Sequence, residues 1–215
     1  MIDRVGIFGG MFDPVHDGHL AVARHALDRL ALDRLLLIPC GTPGHRGPAV
    51  ASGANRLAML ELAVAEDPRM VADPVEIDAA GVSHTARTLG AVRERFPRAA
   101  LVLVLGLDAF LGLPLWREPE KLFALASLLV IARRKLPMDK GMAGRFGGEM
   151  VDSPEQLFAG GPGRVLLSAE PLSAASSSTV RKRIADGCRE LPPPPLPAAV
   201  ARHIREHGLY GAENQ

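Results

Sequence analysis

Residues 4–19, RVGIFGGMFDPVHDGH, decide how this chain folds. The apolar run at residues 4–8 stops at Gly9 and Gly10, a pattern typical of a buried strand that leads into a tight turn. From Gly18 onward, apolar side chains recur at helical spacing and predict an amphipathic helix that covers a sheet. The apolar positions of this helix are Leu20, Ala23, Leu27 and Leu30.

The same alternation of strand and helix continues along the chain. Aliphatic runs predict strands at residues 34–38, 70–77, 101–105, 128–131 and 165–168. Helical spacing predicts helices at residues 55–65, 85–96, 177–186 and 197–207, the first with Leu57, Leu60 and Val64 inward. This order predicts an α/β fold, a Rossmann-like, doubly wound, mostly parallel sheet with helices on both faces and a small C-terminal helical extension.

The length of 215 residues fits a single domain, residues 1–215, with a Rossmann-like core at residues 1–190 and a helical tail at residues 191–215. Residues 136–164 are rich in Gly, Met and Pro, and we expect a long loop or a poorly ordered segment there. Residues 192–195 are all proline and predict a stiff connector to the last helix.

The composition is that of a soluble globular protein, with 47% hydrophobic and 23% charged residues. A net charge of only +1 argues against a nucleic-acid coat or a membrane-surface protein. The two cysteines, Cys40 and Cys188, lack zinc-site spacing and predict a reducing compartment. No leader or membrane-length apolar run is present, so we expect a cytoplasmic protein without nucleic-acid or membrane partners, for which a homo-oligomer remains open.

The loop at residues 9–19 has the chemistry of a phosphate site. Its glycines allow close approach of a ligand to the backbone, and His16 and His19 lie where a helix N-terminus favours anions. Two histidines three apart also fit a metal pair or ordinary residues at a helix start. The flanking glycines favour a triphosphate, and no G-x-G-x-x-G motif follows the strand as in dehydrogenases.

Residues 176–183, SSSTVRKR, predict a second anion site at the start of another helix. A serine N-cap followed by a solvated basic face explains one serine, but not three serines with a triplet of cations. After the predicted strand at residues 101–105, Asp108 is placed to bind a ribose hydroxyl or to orient a ligand. Trp116, the single tryptophan, is either a core residue or a ring that stacks on a heterocycle.

These motifs resemble those of the nicotinate-mononucleotide adenylyltransferases. GGMFDPVHDGH is similar to the family signature GG(T/S)FDPxHxGH, and SSSTVR to (S/A)-(S/A)-T-x-(I/V)-R. The resemblance covers nearly the whole chain and is weakest at residues 136–164. Further segments follow in the family's order, namely IPCGTPGHR, VSHTARTL, LGLDAFLGLPLW and PPPLPAAVARHIREHGLYG.

The resemblance implies adenylyl transfer from ATP to nicotinate mononucleotide, giving nicotinate adenine dinucleotide and pyrophosphate, in NAD biosynthesis. It implies catalytic roles for His16, His19 and Arg181, and Mg²⁺ carried by the ATP phosphates rather than by protein ligands. The residues implied to bind ATP are Gly9, Gly10, Phe12, His16, His19, Asp108, Ser177, Ser178 and Arg181. Those implied to bind the mononucleotide are His45, Arg46, Thr85, Trp116 and Arg133.

Three positions depart from the family pattern. Met11 replaces a small hydroxyl residue, Gly44 replaces a proline, and His84 stands where tyrosine is usual, near the implied pyridine pocket. Two alternative functions remain: another nucleotidyltransferase of the same superfamily, such as a phosphopantetheine adenylyltransferase, and a non-catalytic nucleotide-binding regulator. Pyrophosphate release from ATP with a mononucleotide separates the regulator from an enzyme.

Overall fold

The computed structural model describes residues 3–44, 47–132, 141–169, 176–187 and 196–212. Within these ranges it contains one sheet of seven strands, all parallel, in the order β3-β2-β1-β4-β5-β7-β6. The strands are β1 (Arg4–Gly10), β2 (Arg34–Pro39), β3 (Met70–Ala72), β4 (Ala100–Gly106), β5 (Ser127–Ala132), β6 (Glu149–Val151) and β7 (Arg164–Ala169).

Helices cover both faces of this sheet. In the same part of the chain they are α1 (Asp17–Leu30), α2 (Gly53–Val64), α3 (Thr85–Arg95), α4 (Leu107–Leu111), α5 (Pro119–Leu125), α6 (Gly141–Gly144), α7 (Pro154–Phe158), α8 (Ser177–Ala185) and α9 (Ala198–Glu206). Short 3-10 turns follow at Leu113–Leu115 and Leu209–Gly211. The doubly wound, Rossmann-like α/β fold predicted from the sequence is confirmed.

Two apolar cores, one on each face of the sheet, explain why the strands are aliphatic throughout. In β2, Leu35 and Leu37 pack into the core shared with α1, α2 and α9. Leu36 and Ile38 of the same strand pack into the core shared with α3, α4 and α5. Side chains alternate across a strand, so a strand covered on both faces must be apolar at every position.

The strand order reverses at β1, which pairs with β2 on one side and β4 on the other. Loops after strands on either side of such a reversal diverge and leave a crevice at the carboxyl edge of the sheet. The loop between β1 and α1 and the start of α4 both lie at this edge. The fold therefore places the two predicted ligand-binding segments beside one crevice.

The prediction of a loop at residues 136–164 is wrong for the part of this stretch that the structure describes. Residues 141–164 contain α6, β6 and α7, and β6 pairs with β7 at the sheet edge. Ser153 caps α7, its hydroxyl accepting a hydrogen bond from the Gln156 N–H, and Pro154 occupies the first turn. Elements of three to five residues are too short for a periodic pattern, so their glycines and prolines suggested a loop.

Two smaller predictions also need correction. The strand expected at residues 70–77 ends at Ala72, because Pro74 has no N–H for the ladder and the Asp73 carboxylate binds the Val75 N–H. Helix α2 buries Arg56 and Met59 with Leu60 and Val64, while Leu57 is only half-buried. The connector at residues 192–195 lies outside the described residues, and the single-domain reading stays a prediction.

Candidate functional site

The end of β1, with its two glycines, and the loop that follows it lie at the crevice. A side-chain carbon at Gly9 would meet no protein atom within 4 Å. At Gly10 it would meet the ring of Phe12 at 3.1 Å. Side chains at these two positions would therefore take up the crevice or crowd the loop, which fits backbone contact with a ligand.

Phe12 is a structural residue of this loop. Its side chain is fully buried and packs edge-on against Phe8 and His19, with ring centroids 5.6 and 5.0 Å away. Its backbone has φ +47°, a left-handed conformation that is uncommon outside glycine. Any contact of Phe12 with ATP would therefore come from its main chain.

His16 and His19 form one unit at the N-terminus of α1. His16 precedes the helix and is 4% exposed, while His19 is half-buried in the first turn. Their rings stack with centroids 3.8 Å apart and an angle of 28° between planes. Both imidazoles therefore lie where the helix dipole and the first N–H groups favour phosphate oxygens.

Helix α8 brings the second predicted anion motif onto the same loop. The Ser177 hydroxyl donates to the Pro14 carbonyl at 3.0 Å, and the Arg181 Nη1 donates to the Asp13 carbonyl at 2.6 Å. Ser176 caps the helix by accepting from the Thr179 N–H at 3.2 Å, and Ser178 is exposed at the first turn. The guanidinium, serines and histidines thus meet around residues 13–19.

Asp13 is the most heavily hydrogen-bonded side chain in this loop, and sequence analysis did not assign it a role. The residue is 3% exposed, and its carboxylate accepts from the Val50 N–H at 2.7 Å, the Ala51 N–H at 3.1 Å and the Tyr210 hydroxyl at 2.7 Å. The Arg181 guanidinium lies 3.9 Å from the carboxylate. The loop is therefore tied to the chain after β2, to α8 and to the C-terminal turn.

Arg56 is a second residue that sequence reasoning missed. Its guanidinium is 2% exposed and donates to the carbonyls of Met11 at 2.9 Å, Ala51 at 3.3 Å and Gly41 at 3.5 Å. The only sequence signal was a cation on a predicted amphipathic helix, which ordinarily indicates a solvent-facing position. Arg56 joins the loop after β1 to the loop after β2.

The loop after β2 and the chain before α3 are also held together. The Ser83 N–H donates to the Thr42 carbonyl at 2.8 Å, and the Gly41 N–H donates to the Ser83 hydroxyl at 3.1 Å. A side chain at Gly41 would come within 2.1 Å of the Glu76 carbonyl, so only glycine fits there. Two segments implied to bind the mononucleotide therefore form one wall.

The remaining predicted residues fall into three groups. Thr85 begins α3 just after His84 and is half-buried. Asp108, in the first turn of α4, is exposed at the crevice, and Trp116 ends the 3-10 turn at Leu113–Leu115, half-buried against the core below α4. Three predicted residues lie outside the described ranges, namely His45, Arg46 and Arg133.

The thiol of Cys40 lies beside the wall formed by Gly41 and Ser83. Burial and the nearby Glu76 carboxylate raise the pKa of this thiol, so the neutral form is favoured. Across the described ranges, no group of three or more His, Cys, Asp or Glu side chains could hold a metal ion. No helix in those ranges has the length and apolar character needed to cross a membrane.

Comparison with known proteins gives a consistent picture. The model of the cytidylyltransferase-like family matches residues 7–183. A probable nicotinate-nucleotide adenylyltransferase of Marinobacter nauticus is 39% identical over 209 residues, covering 96% of each chain. A protein of the same description from Neisseria meningitidis serogroup C is 35% identical over 213 residues, covering 96% of this chain and 98% of the relative.

Solved structures agree with the fold. The nicotinic acid mononucleotide adenylyltransferase of Plasmodium falciparum, in complex with NaAD, superposes with a TM-score of 0.73 at 17% identity, covering 99% of this chain and 100% of that chain. A putative nicotinate-nucleotide adenylyltransferase of Vibrio parahaemolyticus superposes with a TM-score of 0.64 at 15% identity, covering 99% and 98%. At these low sequence identities, the superpositions support the fold alone.

Proposed function

This chain belongs to the nicotinate-nucleotide adenylyltransferase family, within the cytidylyltransferase-like family, and from that premise we propose how its own residues work. The reaction is transfer of the adenylyl group of ATP to nicotinate mononucleotide, giving nicotinate adenine dinucleotide and pyrophosphate, in NAD biosynthesis. The mononucleotide phosphate attacks the α-phosphorus directly, so no nucleophilic side chain is needed. Negative charge grows on the oxygen that leaves with pyrophosphate.

In our proposal, the crevice beside β1 holds the triphosphate. The main chain at Gly9 and Gly10 lies against ATP, while His16 and His19 donate to phosphate oxygens at the helix N-terminus. Ser177, Ser178 and Arg181 bind the outer phosphates, which become the leaving group. Donors fixed before the reaction stabilise growing charge most in the transition state, because they need no reorganisation.

The single observation that carries this proposal is the contact between the two anion motifs. Arg181 and Ser177 donate to consecutive carbonyls at Asp13 and Pro14, two residues before His16. One polyphosphate can therefore bridge the start of α1 and the start of α8. A solvated basic face on α8 would leave these long-range bonds unexplained.

We place the mononucleotide between the wall at Gly41 and Ser83 and the chain after β4. Thr85 and Trp116 would hold the pyridine end, with Trp116 stacking on the ring, while Asp108 would bind ATP. His45, Arg46 and Arg133 remain proposed contacts of the mononucleotide phosphate from the sequence resemblance alone. His84 would present a flat polar ring in place of the usual tyrosine.

Mg²⁺ is proposed as an ion that ATP carries. The residues around the loop at 9–19 fit this, because their donors suit phosphate oxygens and they offer few carboxylates to a cation. When bound, the ion neutralises phosphate charge. Location in the cytoplasm and the absence of nucleic-acid and membrane partners stay predictions from the sequence.

The test is a turnover assay with purified protein, ATP and Mg²⁺. Nicotinate mononucleotide, nicotinamide mononucleotide and phosphopantetheine are supplied separately at equal concentration, and pyrophosphate and the dinucleotide product are measured. We expect the fastest turnover with nicotinate mononucleotide. Fastest turnover with phosphopantetheine would assign a different transferase, and ATP binding without pyrophosphate release would indicate a regulator.

A further inference from the structure

The C-terminal turn reaches from the end of the chain into the phosphate-binding loop. Tyr210 lies in the turn Leu209–Gly211, and its hydroxyl donates to the Asp13 Oδ1 at 2.7 Å across 197 residues of sequence. Burial and the bond to Asp13 raise the pKa of the Tyr210 phenol, so it stays protonated and able to donate. This contact lies outside the residues assigned to substrates above.

The turn is built to deliver that hydroxyl. Helix α9 packs on α2 through buried Val200 and Ile204, and the His203 Nε2 lies 3.3 Å from the Asn55 Oδ1. Tyr210 itself has φ +60°, a left-handed conformation that costs free energy for a residue with a side chain. Such conformations persist where surrounding contacts enforce them, often at functional sites.

Asp13 transmits the contact to Arg181. One oxygen of its carboxylate is held by Tyr210 and Ala51, the other by Val50, and its main-chain carbonyl accepts the Arg181 Nη1. These bonds fix both ends of the residue that orients the guanidinium. Without the phenol hydroxyl, Oδ1 keeps only the Ala51 N–H at 3.1 Å, and the Asp13 carbonyl becomes less constrained.

From this chain of contacts we propose that Tyr210 is a positioning residue for adenylyl transfer, acting through Asp13 to hold Arg181 against the leaving phosphates. The inference rests on the proposed function, since it needs Arg181 to bind ATP. It adds the C-terminal turn to the site as a third support beside the starts of α1 and α8. Tyr210 should affect ATP rather than the mononucleotide, because the bonds that link it through Asp13 to Arg181 do not involve Thr85 or Trp116.

The first experiment is kinetic analysis of Tyr210→Phe, which keeps the ring and removes the hydroxyl. We expect kcat to fall about tenfold, less than the roughly hundredfold loss that a displacement of about 1 Å can cost. The KM for nicotinate mononucleotide should stay within about twofold of wild type, because its binding residues are untouched. The matched control is Asn55→Ala, which removes one polar contact of α9 but leaves the packing of Val200 and Ile204 and the bond of Tyr210 to Asp13 in place, so kcat should stay near wild type.

The second experiment is a double-mutant cycle with Arg181→Ala, or Arg181→Lys if the alanine variant is too slow to assay. If Tyr210 acts through Arg181, Tyr210→Phe should lower kcat much less in the Arg181 variant than in wild type. Equal losses in both backgrounds, or an equal loss from Asn55→Ala, would overturn the inference. A wild-type protein without adenylyl transfer would instead refute the proposed function.

Discussion

The main-chain N–H of His16 donates to the Nδ1 of His19 at 3.3 Å, while the two imidazoles stack with centroids 3.8 Å apart. Because Nδ1 accepts in this bond, the proton of a neutral His19 lies on Nε2, which makes Nε2 the donor. The backbone before α1 thus selects the tautomer of a side chain in its first turn. A donor fixed in this way suits an oxygen on which charge grows.

Removing the His19 ring should therefore lower turnover more than it affects folding. We expect His19→Ala to reduce kcat about a hundredfold or more, since one such donor contributes about 2.7–4 kcal/mol in the transition state. Circular dichroism should be unchanged. His207→Ala, on the exposed end of the C-terminal helix, is the matched control and should keep full activity. Near-normal turnover of His19→Ala would contradict the assignment.

Arg56 should matter for stability. Its buried guanidinium donates to the carbonyls of Met11, Ala51 and Gly41, and Arg56→Ala would leave these acceptors without that partner. We expect the free energy of unfolding in urea to fall by about 3 kcal/mol or more. Arg56→Lys keeps the charge but not the planar set of donors. Its free energy of unfolding should lie between those of wild type and Arg56→Ala. A loss below about 1 kcal/mol would show that the bonds are replaced by water.

The single tryptophan gives a direct probe of the mononucleotide side. If the pyridine ring stacks on Trp116, nicotinate mononucleotide alone should quench the tryptophan fluorescence in a saturable way. We expect Trp116→Ala to raise the KM for the mononucleotide about tenfold, as loss of one stacked ring typically costs about 1–3 kcal/mol. The KM of Trp116→Phe for the mononucleotide should lie closer to that of wild type, because this variant keeps an aromatic ring. Saturable quenching by ATP alone, without an effect of the mononucleotide, would place the stacking partner elsewhere.

The single tyrosine allows an alkaline titration to be read from one group. Because the pKa of the Tyr210 phenol is raised on folding, its stabilising contribution is present below the unfolded value of about 10 and is lost as pH rises above it. We expect phenolate absorbance in native protein to appear only together with unfolding. Above about pH 10, the free energy of unfolding should fall less steeply with pH in Tyr210→Phe than in wild type. Reversible ionisation near pH 10 in folded protein would contradict the buried bond to Asp13.

Most of the strands and helices could be predicted from the sequence because the patterns that indicate them are local. The continuous aliphatic run of β2 and the helical spacing of the apolar residues in α1 are both visible within a short window of sequence. Sequence reasoning failed at β6 and α7, whose three and five residues are too few for a period to repeat. It also predicted the wrong inward face for α2, because a buried Arg56 runs against the usual preference of arginine for solvent.

The sequence by itself determined the two anion motifs, since GGMFDPVHDGH and SSSTVR each carry their chemistry in a contiguous stretch where a helix begins. Only the tertiary structure decided that Asp13 joins them, with Arg181 bonded to it across 168 residues and Tyr210 across 197. The physical reason is that hydrogen bonds between distant segments depend on strand order and helix packing, which no local period encodes. A buried carboxylate must find donors wherever the fold brings them, and here they come from residues 50–51 and from Tyr210.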